Sequence, residues 1–199
     1  MATAHALRLC PRLVLLPGRM ALYREVSRQV MQIFARYSEI IEPVSIDEAY
    51  LDVSDSPLFQ GSATRIAEAI RADIQRELNL TASAGVAPNK FLAKIASERN
   101  KPDGLFVLSP PQVPEFVRQL ALSRIPGIGG KTAERLNAVG LHTCADVQQF
   151  PRQQLLLQFG KTGLMLLERA YGIDERPLNT SRERKSVGVE TTFAVDIAL

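Results

Sequence analysis

A chain of 199 residues, 46% hydrophobic and 23% charged, has globular composition and enough length for one large domain or two small ones, which excludes wholesale disorder. The 24 Lys and Arg against 21 Asp and Glu leave a net charge of +3, too mild by itself to demand a polyanionic partner, so the placement of charge must decide. Two distant cysteines, Cys10 and Cys144, make neither a disulfide scaffold nor a zinc module, and a reducing cytoplasm is the expected location.

In the first 20 residues Arg8, Pro11 and Arg12 split the apolar stretches, so no signal-peptide core forms. Nothing approaches the ~18 apolar residues of a membrane span, and no membrane partner is expected. Over 20–37, Leu22, Val26, Val30, Ile33, Phe34 and Tyr37 recur at helical spacing with polar residues between them, which predicts one amphipathic helix. Residues 40–53 are rich in β-branched side chains and carry Pro43 and the adjacent acids Asp47 and Glu48, so they read as a strand pair with its turn near the acids. A helix is expected over 62–78, a strand over 80–87, a helix over 89–100 and a short strand over 105–108. The order ββαβαβ predicts an α+β sheet with helices packed on one face.

After Pro110 and Pro111 the pattern changes to short helices broken by Gly and Pro. Three parts are expected: 1–110 with the sheet, 111–172 as a small helical domain, and 173–199 as a linker. That linker holds Arg182, Glu183, Arg184 and Lys185 and starts a strand over 186–193, as if leading into something absent.

Three constellations can carry chemistry. Consecutive side chains of a straight strand point to opposite faces, so Asp47 and Glu48 converge on one ion only at a turn or bulge. Two close carboxylates repel unless a cation lies between them, and hard oxygen ligands suit Mg²⁺ or Mn²⁺. An isolated Asp-Glu pair is more commonly a solvated acidic turn. Lys90, Lys94, Ser97 and Lys101, spaced four, three and four, share one helix side if the helix continues that far; they suit a phosphate-bearing substrate or form an ordinary wet face. The third is Ile125-Pro126-Gly127-Ile128-Gly129-Gly130-Lys131-Thr132 ahead of Ala133, Leu136 and Val139. It matches a helix-hairpin-helix, whose glycines allow close backbone approach and whose helix amides grip phosphate without reading a base. Lys131 adds charge there. His5, His142 and Cys144 form no metal or catalytic set, and Tyr23, Tyr37, Tyr50 and Tyr171 fit apolar stripes as core residues.

Ser45-Ile46-Asp47-Glu48-Ala49-Tyr50-Leu51-Asp52-Val53 resembles the acidic palm motif of the Y-family translesion DNA polymerases. Ala82 to Ala87, Lys90 to Ser97 and Asn100-Lys101-Pro102-Asp103-Gly104 continue the pattern in order, Ile125 to Gly129 resembles the family's thumb hairpin, and Lys185 to Glu190 the segment leading into its last domain. The resemblance implies an antiparallel palm sheet with helices on one face, then an all-α thumb with the helix-hairpin-helix. It implies Asp47 as a Mg²⁺ ligand, Glu48 as both ligand and catalytic carboxylate, and Lys101 on the incoming triphosphate. Gly127 and Gly129, with Lys131, would meet primer phosphates. The expected partners are primer-template DNA and deoxynucleoside triphosphates, with two Mg²⁺ ions in the complete enzyme.

The family's Asp-x-Asp strand, its fingers, most of its little finger and its sliding-clamp-binding tail have no counterpart in this sequence. The expectation is therefore a translesion polymerase in truncated form, inactive alone. The alternatives are a non-catalytic DNA-backbone-binding fragment acting through the hairpin, and an interaction module completed by a partner strand.

Overall fold

A computed structural model describes residues 1–181 and 187–190. The charge cluster at 182–185 and half of the strand expected over 186–193, namely 186 and 191–193, lie outside them, so that strand as a whole is not tested. The first helix, α1 (Thr3–Leu9), buries nothing. The residues behind it expose Val14, Leu15 and Leu16.

Helix α2 (Met20–Phe34) ends three residues before Tyr37 because the chain turns there. It packs on α3 (Ala63–Leu78), with Ile33, Ile66 and Ile74 buried. The Ser62 hydroxyl caps α3 by accepting the Arg65 N–H, and Asn79, at φ +53°, closes it in the left-handed conformation that Asn tolerates. Beyond α2, Arg36 pairs with Glu77, and the Tyr37 hydroxyl donates to Asp73 at 2.7 Å.

The single sheet expected from ββαβαβ forms as two separate ladders. Strands β1 (Ile40–Pro43) and β2 (Ala49–Asp52) are antiparallel, with Ile40 opposite Asp52 and Pro43 opposite Ala49. Strands β3 (Ala84–Val86) and β4 (Leu105–Val107) pair with each other and run parallel. The antiparallel expectation fails at this second pair for a topological reason: a strand, a helix and a strand in succession bring the chain back in its starting direction. The crossover is α4 (Lys90–Arg99), capped by Asn89, whose side chain accepts the Leu92 N–H. Gly85 lets β3 lie directly on α4, since a Cβ there would stand 2.3 Å from the Ala93 carbonyl oxygen.

Four helices follow β4: α5 (Val113–Arg118), α6 (Gly130–Asn137), α7 (Cys144–Gln149) and α8 (Arg152–Ala170), with one short 3₁₀ turn leading into α5 and another between α5 and α6. Thr143 and Asp146 cap α7 reciprocally. Phe91 and Leu92 of α4 are buried in the same cluster as Val117, Leu122, Leu136 and Leu166, so α4 packs into the helical region. Tyr23 and Tyr171 are exposed, contrary to the core placement their spacing suggested. No helix among the described residues is long and apolar enough to cross a membrane.

Candidate active site and nucleic-acid interface

The β1–β2 register leaves residues 44–48 as the connection, which puts Asp47 and Glu48 in the turn immediately before β2. The turn closes on itself: the Val44 and Ser45 N–H groups donate to the Glu48 carbonyl at 2.8 and 3.2 Å. This is the departure from straight-strand geometry that two adjacent acids need to serve one site. The Ser45 hydroxyl donates to Asp47 Oδ1 at 2.6 Å, while Lys94 Nζ reaches Glu48 Oε1. Each carboxylate thus keeps one oxygen with no hydrogen-bond partner among the described residues.

Asp47 and Glu48 line a cleft of about 960 Å³ between the two ladders, together with Lys94, Ser97 and Lys101 from the α4 side. The lysine row is real but not free. Helix α4 stops at Arg99, so Lys101 follows its end rather than continuing its face. Lys101 pairs with Glu98 at 2.8 Å, Lys94 with both Glu48 and Glu98, and Lys90 with Glu42 at 2.7 Å. Burial pulls the Lys94 ammonium down, but its hydrogen bonds to Glu48 and Glu98 outweigh that and hold it above the ordinary lysine value. Lys101 and Lys94 in turn hold Glu98 below the ordinary carboxylate range.

Two hard carboxylate donors at one turn suit a Mg²⁺ ion that completes its octahedron from substrate phosphates and water. No third acid joins them: among the described residues no group of three or more His, Cys, Asp or Glu could hold a metal.

At the hairpin, Ile125 and Ile128 are buried, and the Ile128 N–H donates to the Ile125 carbonyl at 3.0 Å. Gly127 takes φ +95°, a conformation other residues rarely adopt, with open space where a Cβ would be. Gly129 serves differently, as the extended residue before α6 that offers no capping side chain. No acid sits in the first turn of α6, and Lys131 stands there instead. A cation at the positive end of a helix opposes the dipole, an arrangement that an anionic ligand would relieve.

Sequence reasoning did not find the polar junction at the start of α4. Asp174, fully buried in its side chain, accepts from the Phe91 N–H at 3.1 Å and pairs with Arg169 and Arg176. Asn89 donates to the Gly172 carbonyl at 2.8 Å. Pro88 ahead of Asn89 marks a helix start in the sequence but says nothing of its distant partners. His142 shares a hydrogen bond with Asn137, and Cys144 is a buried free thiol, so neither enters a site.

Residues 1–98 match the impB/mucB/samB family, and residues 123–174 match the thumb domain of DNA polymerase iota. DNA polymerase IV of Shewanella sp. (strain MR-4) is 65% identical over 99% of this chain and 55% of that protein. The same enzyme of Shewanella amazonensis is 61% identical over 99% of this chain and 56% of its own length. The chain spans about half the length of the relatives it matches. Among solved structures, DinB from Sulfolobus solfataricus superposes with a TM-score of 0.81 at 34% identity, covering 88% of this chain and 52% of the other. The insertion ternary complex of Dbh DNA polymerase gives 0.82 at 34%, covering 89% and 52%. A Y-family polymerase chimera of Dbh and Dpo4 gives 0.83 at 34%, covering 92% and 54%. Likeness in sequence and in shape, running unbroken from the acidic turn through the hairpin, is that of kinship: the chain belongs to the Y family of DNA polymerases.

Proposed function

We propose that this chain carries the palm and thumb of a translesion DNA polymerase, residues 1–110 and 111–172, with 173–199 leading toward a further domain. The observation that carries this reading is the acidic turn. Asp47 and Glu48 stand where the chain reverses, each with an open oxygen, in one cleft with Lys94 and Lys101. In the reaction a primer 3′-hydroxyl attacks the α-phosphate of a deoxynucleoside triphosphate, and pyrophosphate leaves. Asp47 and Glu48 would hold Mg²⁺, whose positive charge would stabilise the developing oxyanions. Lys94 holds the Glu48 side chain at the turn through their ion pair. Lys101 leaves Glu98 for the triphosphate, a stronger anion than one carboxylate. Gly127 and the open amides of α6, with Lys131, grip the DNA backbone without reading bases.

Because two carboxylates stand where a two-ion reaction needs more ligands, the chain by itself supports little synthesis. A non-catalytic role as a DNA-backbone binder is the second reading, favoured by the lack of a third metal-ligating side chain among the described residues. Binding of a Mn²⁺–deoxynucleotide complex separates the two. The double variant Asp47→Asn, Glu48→Gln is expected to weaken that binding about tenfold or more. Unchanged binding removes the acidic turn from the mechanism.

A further inference from the structure

The two ladders share no strand pairing, so the hairpin that carries Asp47 and Glu48 has no backbone ladder to hold it over α4. Its position relative to α4 must be set by side chains. Among the described residues two ion pairs make such links, and they are unlike. At the turn, Lys94 meets Glu48 with side chains 28% and 41% exposed, an environment in which water competes for both charges. On β1, Lys90 meets Glu42 with side chains only 10% and 20% exposed.

We propose that Glu42 is a positioning residue, which with Lys90 fixes the Asp47–Glu48 turn over the lysine side of α4. Glu42 lies opposite Tyr50 in the register of β1 and β2, so both side chains serve the same lysine. Lys90 Nζ donates to Glu42 Oε2 at 2.7 Å and to the Pro177 carbonyl at 2.8 Å, and lies 5.8 Å from the centre of the Tyr50 ring. Glu42 Oε2 also accepts the Asn179 N–H at 2.9 Å, so the segment behind α8 closes over the pair. Burial pushes the Glu42 carboxyl up, but Lys90 and the Asn179 amide outweigh it and hold it below the ordinary range. The carboxylate therefore joins three pieces of chain: the hairpin, the first turn of α4 and the segment 177–179. Lys90 and Lys94 are one helical turn apart, and two anchors at that spacing stop the hairpin from pivoting about the Lys94 contact alone.

The bearing of Glu42 on catalysis rests on the proposed roles of Asp47 and Glu48, whereas its positional effect can be tested without metal, nucleotide or DNA. A water-soluble carbodiimide joins a lysine to a carboxylate in contact with it, and peptide mass spectrometry counts each cross-link. In Glu42→Ala and in Lys90→Met the Glu48–Lys94 cross-link is expected to fall about threefold, and no further in the double variant, as for one coupled unit. The Lys101–Glu98 cross-link, three residues apart near the end of α4, is expected to stay unchanged and reports that the helix is intact. An undiminished Glu48–Lys94 cross-link in both single variants overturns the proposal, as does an equal loss of both cross-links. Failure here leaves the proposed polymerase chemistry standing, and failure of Mn²⁺–nucleotide binding leaves the positional role of Glu42 standing.

Discussion

Asp174 ties the start of α4 to the segment behind α8. Its side chain has no exposure, and it receives the Phe91 N–H as well as Arg169 and Arg176. Burial alone would push its carboxyl up, but Arg176 and Arg169 outweigh burial and hold it below the usual 3.8. The folded protein therefore binds this proton less readily than the unfolded chain. The stability that Asp174 contributes is complete above its unfolded value and is lost as pH falls through the lower folded one. Asp174→Asn is expected to cost roughly 3 kcal/mol at neutral pH by leaving Arg169 buried beside a neutral amide. Urea midpoints compared across pH should show the gap between wild type and variant closing below pH 3.8, and a gap constant with pH would contradict the assignment. Nothing near Asp174 in sequence announces this role, because the amide it caps lies 83 residues upstream. Asp47 and Glu48 were legible for the opposite reason: two acids side by side in a β-branched run require a turn, and the turn is there.

Helices α3 and α4 were readable as elements, expected over 62–78 and 89–100 and formed over Ala63–Leu78 and Lys90–Arg99, and the structure adds Ser62 and Asn89 as their N-caps. Strand β3 is shorter than the apolar run around it, since only Ala84 to Val86 find a partner in β4. Pairing is a property of two segments, and composition over 80–87 could not show where the partner ends. The hairpin before α6 was legible in its glycines, but their duties differ, with Gly127 supplying a positive φ and Gly129 an uncapped helix start. This element makes the chain a DNA-backbone binder in the proposed function. Its affinity for duplex DNA is expected to be weak and sequence-neutral and to fall with salt. Lys131→Ala should reduce the slope of log affinity against log salt by about one unit. Fluorescence anisotropy at several salt concentrations reads that slope, and binding unaltered by Gly127→Val with Lys131→Ala would place the contact elsewhere.

At the scale of the whole molecule, the sheet is divided, and so is the core, since buried Ile33, Ile66 and Ile74 of α2 and α3 lie outside the main buried cluster. The cleft of about 960 Å³ opens between two ladders that do not pair, while α4 buries Phe91 and Leu92 among the C-terminal helices. Strand count and order were legible, whereas the division was not, because hydrophobic alternation specifies a face and not a neighbour. With its acids on the hairpin and its lysines on and just beyond α4, the site spans this division. It depends on side-chain anchors such as Glu42 with Lys90. In the proposed function Glu48, in this setting, belongs to the machinery of nucleotide transfer. The direct measurement is extension of a labelled primer by a chimera that joins this chain to the segments of the Shewanella sp. (strain MR-4) polymerase outside its match. The chimera is expected to extend the primer in a Mg²⁺-dependent manner, and Glu48→Ala within it is expected to slow extension by about 10²-fold or more. Full activity of the Glu48→Ala chimera would remove Glu48 from nucleotide transfer.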